Sequence, residues 1–407
     1  MKLEGLRRIT SDGNFIAQVD GFRLLAIGLV IVDHIHGQIA NRVGMAWPEL
    51  LGFADGGRRG VAFFFVISGF ILGLPFARRA LAPDPLKPAR PFSYRAYLLR
   101  RVTRLEPPFV LSILLRLGLI VFVFREDLRE LLPHFWATLL YSHNLIFGTM
   151  SRISPPTWSL EVEVQFYLLA PLLARVFRIS RAGMRLSLLV GAVVLFSVLG
   201  HIYFQDTERY QLSLLGNAQY FLAGFLLCEF YFATSRSRVP GYLLDLTALI
   251  LLAPLLYSEN PSVKILFPFG ALLVFCAGLR GMLLPRLFGL TFVSVSGGMC
   301  YSIYLTHGTV LAAIGIVWSK VALGSLPLLA QQLLMIGVCS AAVYAVGMAY
   351  FVLIERPCMD PRWPAKLFAR LARIRHPAPS LPARPDKPAR PDLDEPMPQL
   401  GRVHRVQ

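Results

Sequence analysis

Two ionisable residues, Arg23 and His34, lie eleven positions apart in the apolar stretch GFRLLAIGLVIVDHIHG at 21–37. In a helix, this spacing brings the two side chains to nearly the same face, about 16 Å apart along the axis. A permanent cation would then lie near one membrane surface, and an imidazole that titrates near neutral pH would lie near mid-depth. Because ionisable groups inside a membrane are costly, the pair indicates a functional path.

The helices that must position this pair are suggested by the composition. Of the 407 residues, 55% are hydrophobic and only 16% are charged, which is outside the range of soluble domains. We therefore predict an all-α integral membrane protein, a bundle of about ten transmembrane helices. The predicted spans are about 22 to 40, 60 to 76, 107 to 124, 158 to 177, 186 to 204, 212 to 232, 242 to 257, 264 to 280, 298 to 318 and 329 to 354.

A further segment at 134 to 149 is short and carries His134, His143 and Asn144. If it crossed the membrane, the basic cluster between Arg175 and Arg185 would face outward, against the usual bias of basic loops toward the cytoplasm. We therefore predict a re-entrant segment that enters and leaves on the outer side. A short interfacial helix is the alternative interpretation.

The net charge of +17 does not indicate a nucleic-acid partner. The basic residues gather in alternate loops, including the stretches from Arg78 to Arg104 and from Arg175 to Arg185, as the positive-inside rule expects for cytoplasmic loops. This pattern predicts a multi-pass protein with both termini in the cytoplasm. The five cysteines are scattered singly, so we predict neither a disulfide framework nor a metal site.

The chain divides into two parts. Residues 1–375 are predicted to form one membrane domain, which ends in the amphipathic stretch PRWPAKLFARLARIR, a helix suited to lie on the inner leaflet. Residues 376–407 are rich in Pro and Arg and are predicted to be a disordered cytoplasmic tail. No internal repeat is visible, which argues against a transporter built on duplicated halves.

Six motifs follow one another along the membrane domain. They are VDGFRLLAIGLVIVDHI at 19–35, GVAFFFVISGFIL at 60–72, YLLRRVTRLEP at 97–107, PPTWSLEVEVQFYLLAPLL at 155–173, YSIYLTH at 301–307 and IERP at 354–357. Together and in this order they resemble the motifs of the acyltransferase family 3 proteins, the bacterial membrane O-acetylases of lipopolysaccharide, peptidoglycan and exopolysaccharide. Any one motif alone would be a weak signal.

The resemblance implies an O-acyltransferase of the bacterial inner membrane. It would move an acyl group, above all acetyl, from cytoplasmic acyl-CoA to a hydroxyl of a carbohydrate or glycosylated metabolite, with no permanently bound cofactor. His34 matches the catalytic histidine of the family and would act as a general base or as a transient acyl carrier; both roles are open. Glu163 is the second predicted catalytic residue, in preference to Glu161.

The predicted binding residues fall into two groups. Arg23, Arg101 and Arg104 are assigned to the phosphates of the acyl-CoA donor, because guanidinium groups stay charged and bind phosphate through paired hydrogen bonds. Ser68, Trp158 and Tyr304 are predicted to bind substrate, and Trp158 is also suited to anchor a helix at the interface.

Two other classes of function compete with acyl transfer. A transporter or flippase could use the same polar path without making a bond, and a structural partner of a polysaccharide export complex would need no chemistry. The sequence names neither the acceptor nor the oligomeric state. The expected partners are the carbohydrate acceptor, the acyl-CoA donor and the lipid bilayer.

Overall fold

The structure is a computed structural model that describes residues 6–9, 15–40, 56–83, 91–203, 207–233, 239–258, 260–320, 326–360 and 363–364. Within these ranges the chain is helical and has no strand. The amphipathic stretch predicted at 361–375 falls outside them except for residues 363 and 364. The predicted tail at 376–407 falls outside them entirely.

The described residues form sixteen α-helices, numbered in chain order. They are α1 (Ala17–Ile35), α2 (Gly56–Leu81), α3 (Tyr94–Phe122), α4 (Leu128–Leu139), α5 (His143–Phe147), α6 (Trp158–Leu173), α7 (Ala182–Tyr203), α8 (Glu208–Gln211), α9 (Leu214–Ala233), α10 (Gly241–Tyr257), α11 (Pro261–Arg280), α12 (Leu284–Gly289), α13 (Thr291–Gly298), α14 (Cys300–Trp318), α15 (Leu328–Tyr350) and α16 (Arg356–Cys358). A π-helical turn, His36–Ala40, extends α1, and a second one, Phe351–Glu355, joins α15 to α16.

Seven of the described helical segments are long and apolar enough to cross a membrane, which confirms an all-α integral membrane protein. They are Ala17–Ala40, Gly57–Leu81, Tyr94–Phe122, Ala182–Tyr203, Pro261–Arg280, Cys300–Trp318 and Leu328–Cys358. Each of the ten predicted spans overlaps a helix, and the three that overlap α6, α9 and α10 are not among the seven. The number of ten crossings therefore stays a prediction.

The helices carry apolar side chains on their outer faces as well as inside. Leu188, Leu195, Ile250 and Leu333 are all more than half exposed. Leucine and isoleucine on an outer face are unfavourable in water and are at home in lipid, so these surfaces agree with a membrane environment.

Helix α2 packs against both α1 and α9, and glycines set its distance from α9. A Cβ atom on Gly69 would lie 2.1 Å from the carbonyl oxygen of Phe221, and one on Gly224 would lie 2.3 Å from that of Val66. No larger residue fits at either position without moving a backbone, as is common where membrane helices approach closely. This contact sets the position of the α2 backbone beside Ser68, the neighbour of Gly69.

The segment predicted to be re-entrant is a helical hairpin formed by α4 and α5. Its two ends lie together, because Arg152 beyond α5 pairs with Glu126 just before α4 at 3.0 Å. Its tip reaches back along α3, where the ring of Tyr141 stacks on Phe109 with 4.7 Å between ring centroids. Entry of this hairpin into the bilayer stays a prediction.

Candidate active site

The side chain of His34 lies near the end of α1 against a second histidine, His307, on α14. The two imidazole rings meet edge to face with 4.9 Å between their centroids. In each ring Nδ1–H donates to the main chain: His34 to the carbonyl oxygen of Val30 (2.8 Å), and His307 to that of Tyr304 (2.5 Å). These bonds fix the tautomer, so that Nε2 of each neutral ring carries the lone pair.

His307 is 1% exposed, and its Nε2 has no hydrogen-bond partner among the described residues. A buried polar atom without a partner is rare and points to a functional group. The sequence placed His307 in a late polar cluster without linking it to His34. The contact joins helices that are distant in the chain, so the sequence could not show it directly. Its one indication was that both histidines lie in motifs that resemble those of the family.

A cavity of about 750 Å³ opens beside His307. Its polar lining includes Gln38, Ser112, Arg116 and Tyr304. The lining does not include His34, whose ring contacts that of His307. The volume falls within the range of small-molecule sites.

The other end of the polar path begins at Arg23, which pairs with an acid that the sequence analysis overlooked. Asp20 is fully buried and accepts hydrogen bonds from Nη1 of Arg23 (2.5 Å) and from Nε of Arg8 (2.8 Å). Two guanidinium groups therefore share one carboxylate. Burial, followed by the positive charge of Arg23, lowers the pKa of Arg8 to about 10. The excess positive charge suits an anionic ligand.

Arg101 is held between two aromatic rings. Its guanidinium carbon lies 4.7 Å from the ring centroid of Tyr97 and 4.7 Å from that of Tyr167. Its Nε is buried and has no hydrogen-bond partner among the described residues. Cation–π contacts on both faces fix the plane of the guanidinium group and leave its edge for an oxygen ligand.

Arg104, one turn further along α3, lies 3.9 Å from the carboxylate of Glu355. Glu355 is fully buried and also accepts a hydrogen bond of 2.6 Å from the hydroxyl of Ser302. The sequence places Glu355 beside Arg356 in the motif IERP, and the structure joins it to Arg104. The last membrane helix is thereby connected to the predicted donor arginines.

Glu163 belongs to the arginine end of the path. Its described hydrogen-bond partners are the hydroxyl of Ser68, at 2.5 Å, and that of Tyr167. The structure brings this predicted catalytic carboxylate beside Tyr167, one of the two rings that hold Arg101. Ser68, predicted to bind substrate, lies in the same cluster and does not line the cavity.

Glu161 makes contacts different from those of Glu163. Its carboxylate accepts hydrogen bonds from the main-chain nitrogens of Asn144 (2.9 Å) and Leu145 (3.2 Å) in the first turn of α5. A carboxylate at this position caps the free N–H groups and complements the helix dipole. The capping contact gives Glu161 a role in holding the hairpin, distinct from that of Glu163.

Of the other predicted substrate-binding residues, Trp158 packs in the bundle and Tyr304 lines the cavity. Trp158 packs its ring edge-on against Phe65 at 6.1 Å and is not part of the cavity lining. Tyr304 lines the cavity and donates its hydroxyl hydrogen to the carbonyl oxygen of Pro156. The carboxylate of Asp33 lies against Gly57 at the first turn of α2, where a negative charge is favourable.

The fold is a bundle of apolar helices that holds two histidines and several arginines. These features are typical of a membrane enzyme with a polar site inside the bundle. The chain belongs to the acyltransferase 3 family, whose model, described as an acyltransferase domain, matches residues 16–354. It is a membrane O-acyltransferase.

Curated relatives agree with this family. The chain is 26% identical over 377 residues to a protein of Komagataeibacter xylinus named as a membrane-bound transacylase, BcsY, with 86% of this chain and 85% of the relative covered. It is 28% identical to a protein of Bacillus subtilis named as a peptidoglycan O-acetyltransferase, YrhL, and 26% identical to the peptidoglycan O-acetyltransferase OatA of Listeria monocytogenes. These matches cover 46% and 45% of this chain and 28% of each relative. No solved structure matches the chain significantly.

Proposed function

We propose that this O-acyltransferase takes its acyl group, above all acetyl, from acyl-CoA on the cytoplasmic side. The acceptor is a hydroxyl of a carbohydrate in the cavity beside His307. The observation that carries the proposal is the arrangement on α1: Arg23 lies in the arginine end of the path, and His34 lies about 16 Å further along the same helix, against the cavity histidine. A group that binds anions and a base therefore lie on one helix.

The donor end has three guanidinium groups, each held in a defined position. Asp20 positions Arg23, two tyrosine rings position Arg101, and Glu355 positions Arg104. Donors fixed in this way bind phosphate oxygens with little loss of side-chain entropy. The phosphates of acyl-CoA would bind here, and the thioester would reach toward the histidines.

At the histidine end, Nε2 of His34, or Nε2 of His307, removes the proton of the acceptor hydroxyl. The acceptor oxygen then attacks the thioester carbonyl, the carbon–sulfur bond breaks, and the proton passes from the imidazolium ion to the thiolate of coenzyme A. In the alternative order, Nε2 of His34 first takes the acyl group and coenzyme A leaves as its thiolate; the acceptor oxygen then displaces the imidazole, and the proton of the hydroxyl passes to the thiolate. Both orders use the lone pair that the Val30 contact leaves on Nε2.

The proposed setting is the inner membrane of a bacterium with both termini in the cytoplasm. The basic loops support this orientation, and so do relatives from bacteria.

The test is His34→Ala in the producing strain, with His36→Ala as the matched control two residues along the same helix. We expect His34→Ala to abolish acylation of the surface glycan and to leave its export unchanged, and His36→Ala to retain both. Normal acylation with His34→Ala would disprove the catalytic role. Loss of export in step with acylation would favour transport as the primary activity.

A further inference from the structure

Arg116 on α3 is a charged residue in an otherwise apolar run, LSILLRLGLIVF at 111–122. It is a lining residue of the cavity beside His307. Its Nε donates to the carbonyl oxygen of Ile153 at 3.3 Å and its Nη1 to that of Gly308 at 2.9 Å. Its Nη2 makes no hydrogen bond to any described residue. The guanidinium group is thus oriented by two carbonyls and keeps donors free beside the cavity.

No described carboxylate neutralises this charge. Glu126, which also lines the cavity, is paired with Arg152 at 3.0 Å, and Glu130 lies 3.7 Å from the same arginine. Carbonyl oxygens satisfy N–H groups and do not cancel a charge, and a cation in a water-poor surrounding is costly without a counterion. Neutral sugar hydroxyls do not require such a cation, whereas a carboxylate or phosphate does.

The position of Arg116 relative to the histidines matters for the chemistry. The carbonyl to which its Nη1 donates belongs to Gly308, the residue that directly follows His307. An anion bound by Arg116 would therefore lie within one sugar residue of Nε2 of His307. This arrangement would place a hydroxyl of the same sugar, or of its neighbour, at the base.

We propose that the cavity selects an anionic acceptor and that Arg116 binds its carboxylate or phosphate group. The inference rests on the proposed function, since it assigns the acceptor class of the same site. The two anions share one recognition chemistry, paired hydrogen bonds to a guanidinium edge. They differ in source: a uronic acid residue supplies a carboxylate, and a phosphorylated glycan supplies a phosphate.

The test measures binding separately from catalysis. The full chain in lipid nanodiscs is titrated with methyl β-D-glucuronide, glucose 1-phosphate and the neutral methyl β-D-glucoside, and binding is followed by saturation-transfer NMR. We expect at least one of the two anions to bind about ten-fold more tightly than the glucoside. The anion that shows this preference identifies the source. Equal affinities, or no binding of either anion up to about 20 mM, would overturn the proposal.

Substitutions assign the preference to Arg116. Arg116→Gln should bring the affinities for anion and glucoside within about two-fold of each other, and Arg116→Lys, which keeps the charge, should retain the preference. Arg209→Gln is the matched control, because Arg209 also donates to two carbonyl oxygens, those of Leu145 and Ile146, and is not a lining residue of the cavity. A preference that survives in Arg116→Gln would refute the assignment.

The same experiment keeps this inference distinct from the proposed function. His34→Ala should lose acyl transfer and keep the preference for the anion. If His34→Ala still transfers acyl groups while the anion preference is present, the proposed catalysis fails and the anion site stands. If transfer depends on His34 and no anion preference exists, the anion site fails alone.

Discussion

The rings of His34 and His307 meet edge to face at 4.9 Å, and each donates its Nδ1–H to a carbonyl oxygen of its own helix. The main chain of α1 and α14 therefore leaves the lone pairs of two neutral imidazole rings on their Nε2 atoms. Only His307 is among the residues that line the cavity. In the proposed mechanism, the acceptor hydroxyl therefore reaches the histidine pair from the side of His307.

His307→Ala should lower the turnover number by about two to four orders of magnitude, the usual contribution of a positioned acid or base. The measurement is release of coenzyme A from acetyl-CoA with the natural glycan as acceptor, as a function of pH. His201→Ala on α7 is the control and should keep the wild-type rate. An unchanged turnover number and pH profile in His307→Ala would show that His34 acts alone.

Arg101→Lys should raise the KM for the acyl-CoA donor by about ten-fold with a smaller effect on the turnover number, because lysine lacks the planar group that Tyr97 and Tyr167 hold. Arg100→Lys is the neighbouring control, since Arg100 is exposed and should tolerate the change. A fall in turnover number at constant KM would place Arg101 in the chemical step instead of in donor binding.

Substitution of the two glutamates of α6 should have different effects. Glu163→Gln should reduce acyl transfer and leave the hairpin intact, because its described contacts are Ser68 and Tyr167. Glu161→Gln should destabilise the α4–α5 hairpin by about 1–3 kcal/mol, since two main-chain N–H groups lose a charged acceptor. Hydrogen exchange over 143–147 measures the second effect. Faster exchange in Glu163→Gln than in Glu161→Gln would reverse this assignment.

Asp20→Ala should destabilise the protein by about 3 kcal/mol or more, because two buried guanidinium groups lose their common carboxylate. Thermal unfolding in detergent measures the effect. Arg8→Ala, which removes one of the two cations and keeps the carboxylate paired with Arg23, should cost less. A larger loss with Arg8→Ala than with Asp20→Ala would contradict the idea that the carboxylate is the central partner.

The hairpin should open more readily as the pH falls. His134 and His143 lie 2.9 Å apart between Nδ1 and Nε2. Burial lowers the pKa of both, and the neighbouring charge of His143 lowers that of His134 further. A depressed pKa stabilises the closed hairpin above the ordinary histidine pKa of about 6.5, and this stability is lost as the pH falls below that value.

Hydrogen exchange over 134–147 at about pH 7.5 and about pH 5.5 tests this pH dependence. The protection factor of these amides, which corrects for their slower intrinsic exchange at low pH, should be smaller at the lower pH in the wild type. His134→Asn should remove most of the difference. An equal pH effect in wild type and variant would show that other groups control the opening.

The sequence was sufficient for the class of fold and for the family. Apolar helices of membrane length and an excess of basic residues in alternate loops are local patterns. The lipid bilayer imposes them on each segment, so they can be recognised without knowing which helices pack together. The motifs at 19–35 and 97–107 likewise carried the family and singled out His34, Arg101 and Arg104. Their roles in the reaction stay predictions.

Other features depended on contacts between residues far apart in the chain. Periodicity gives the face of a helix and does not give its neighbour, so it could not pair His34 with His307 or Glu355 with Arg104. For the same reason, the sequence could not show that packing of α6 against α2 brings the carboxylate of Glu163 to the hydroxyl of Ser68.

The sequence by itself thus determined a helical membrane O-acyltransferase with a cation and an imidazole on one helix, because hydropathy, spacing and motif are properties of the chain. Only the tertiary structure decided which polar groups share a site. Buried polar atoms must find partners across helices, and the close approach of α2 and α9 through Gly69 and Gly224 helps to fix which partners are within reach.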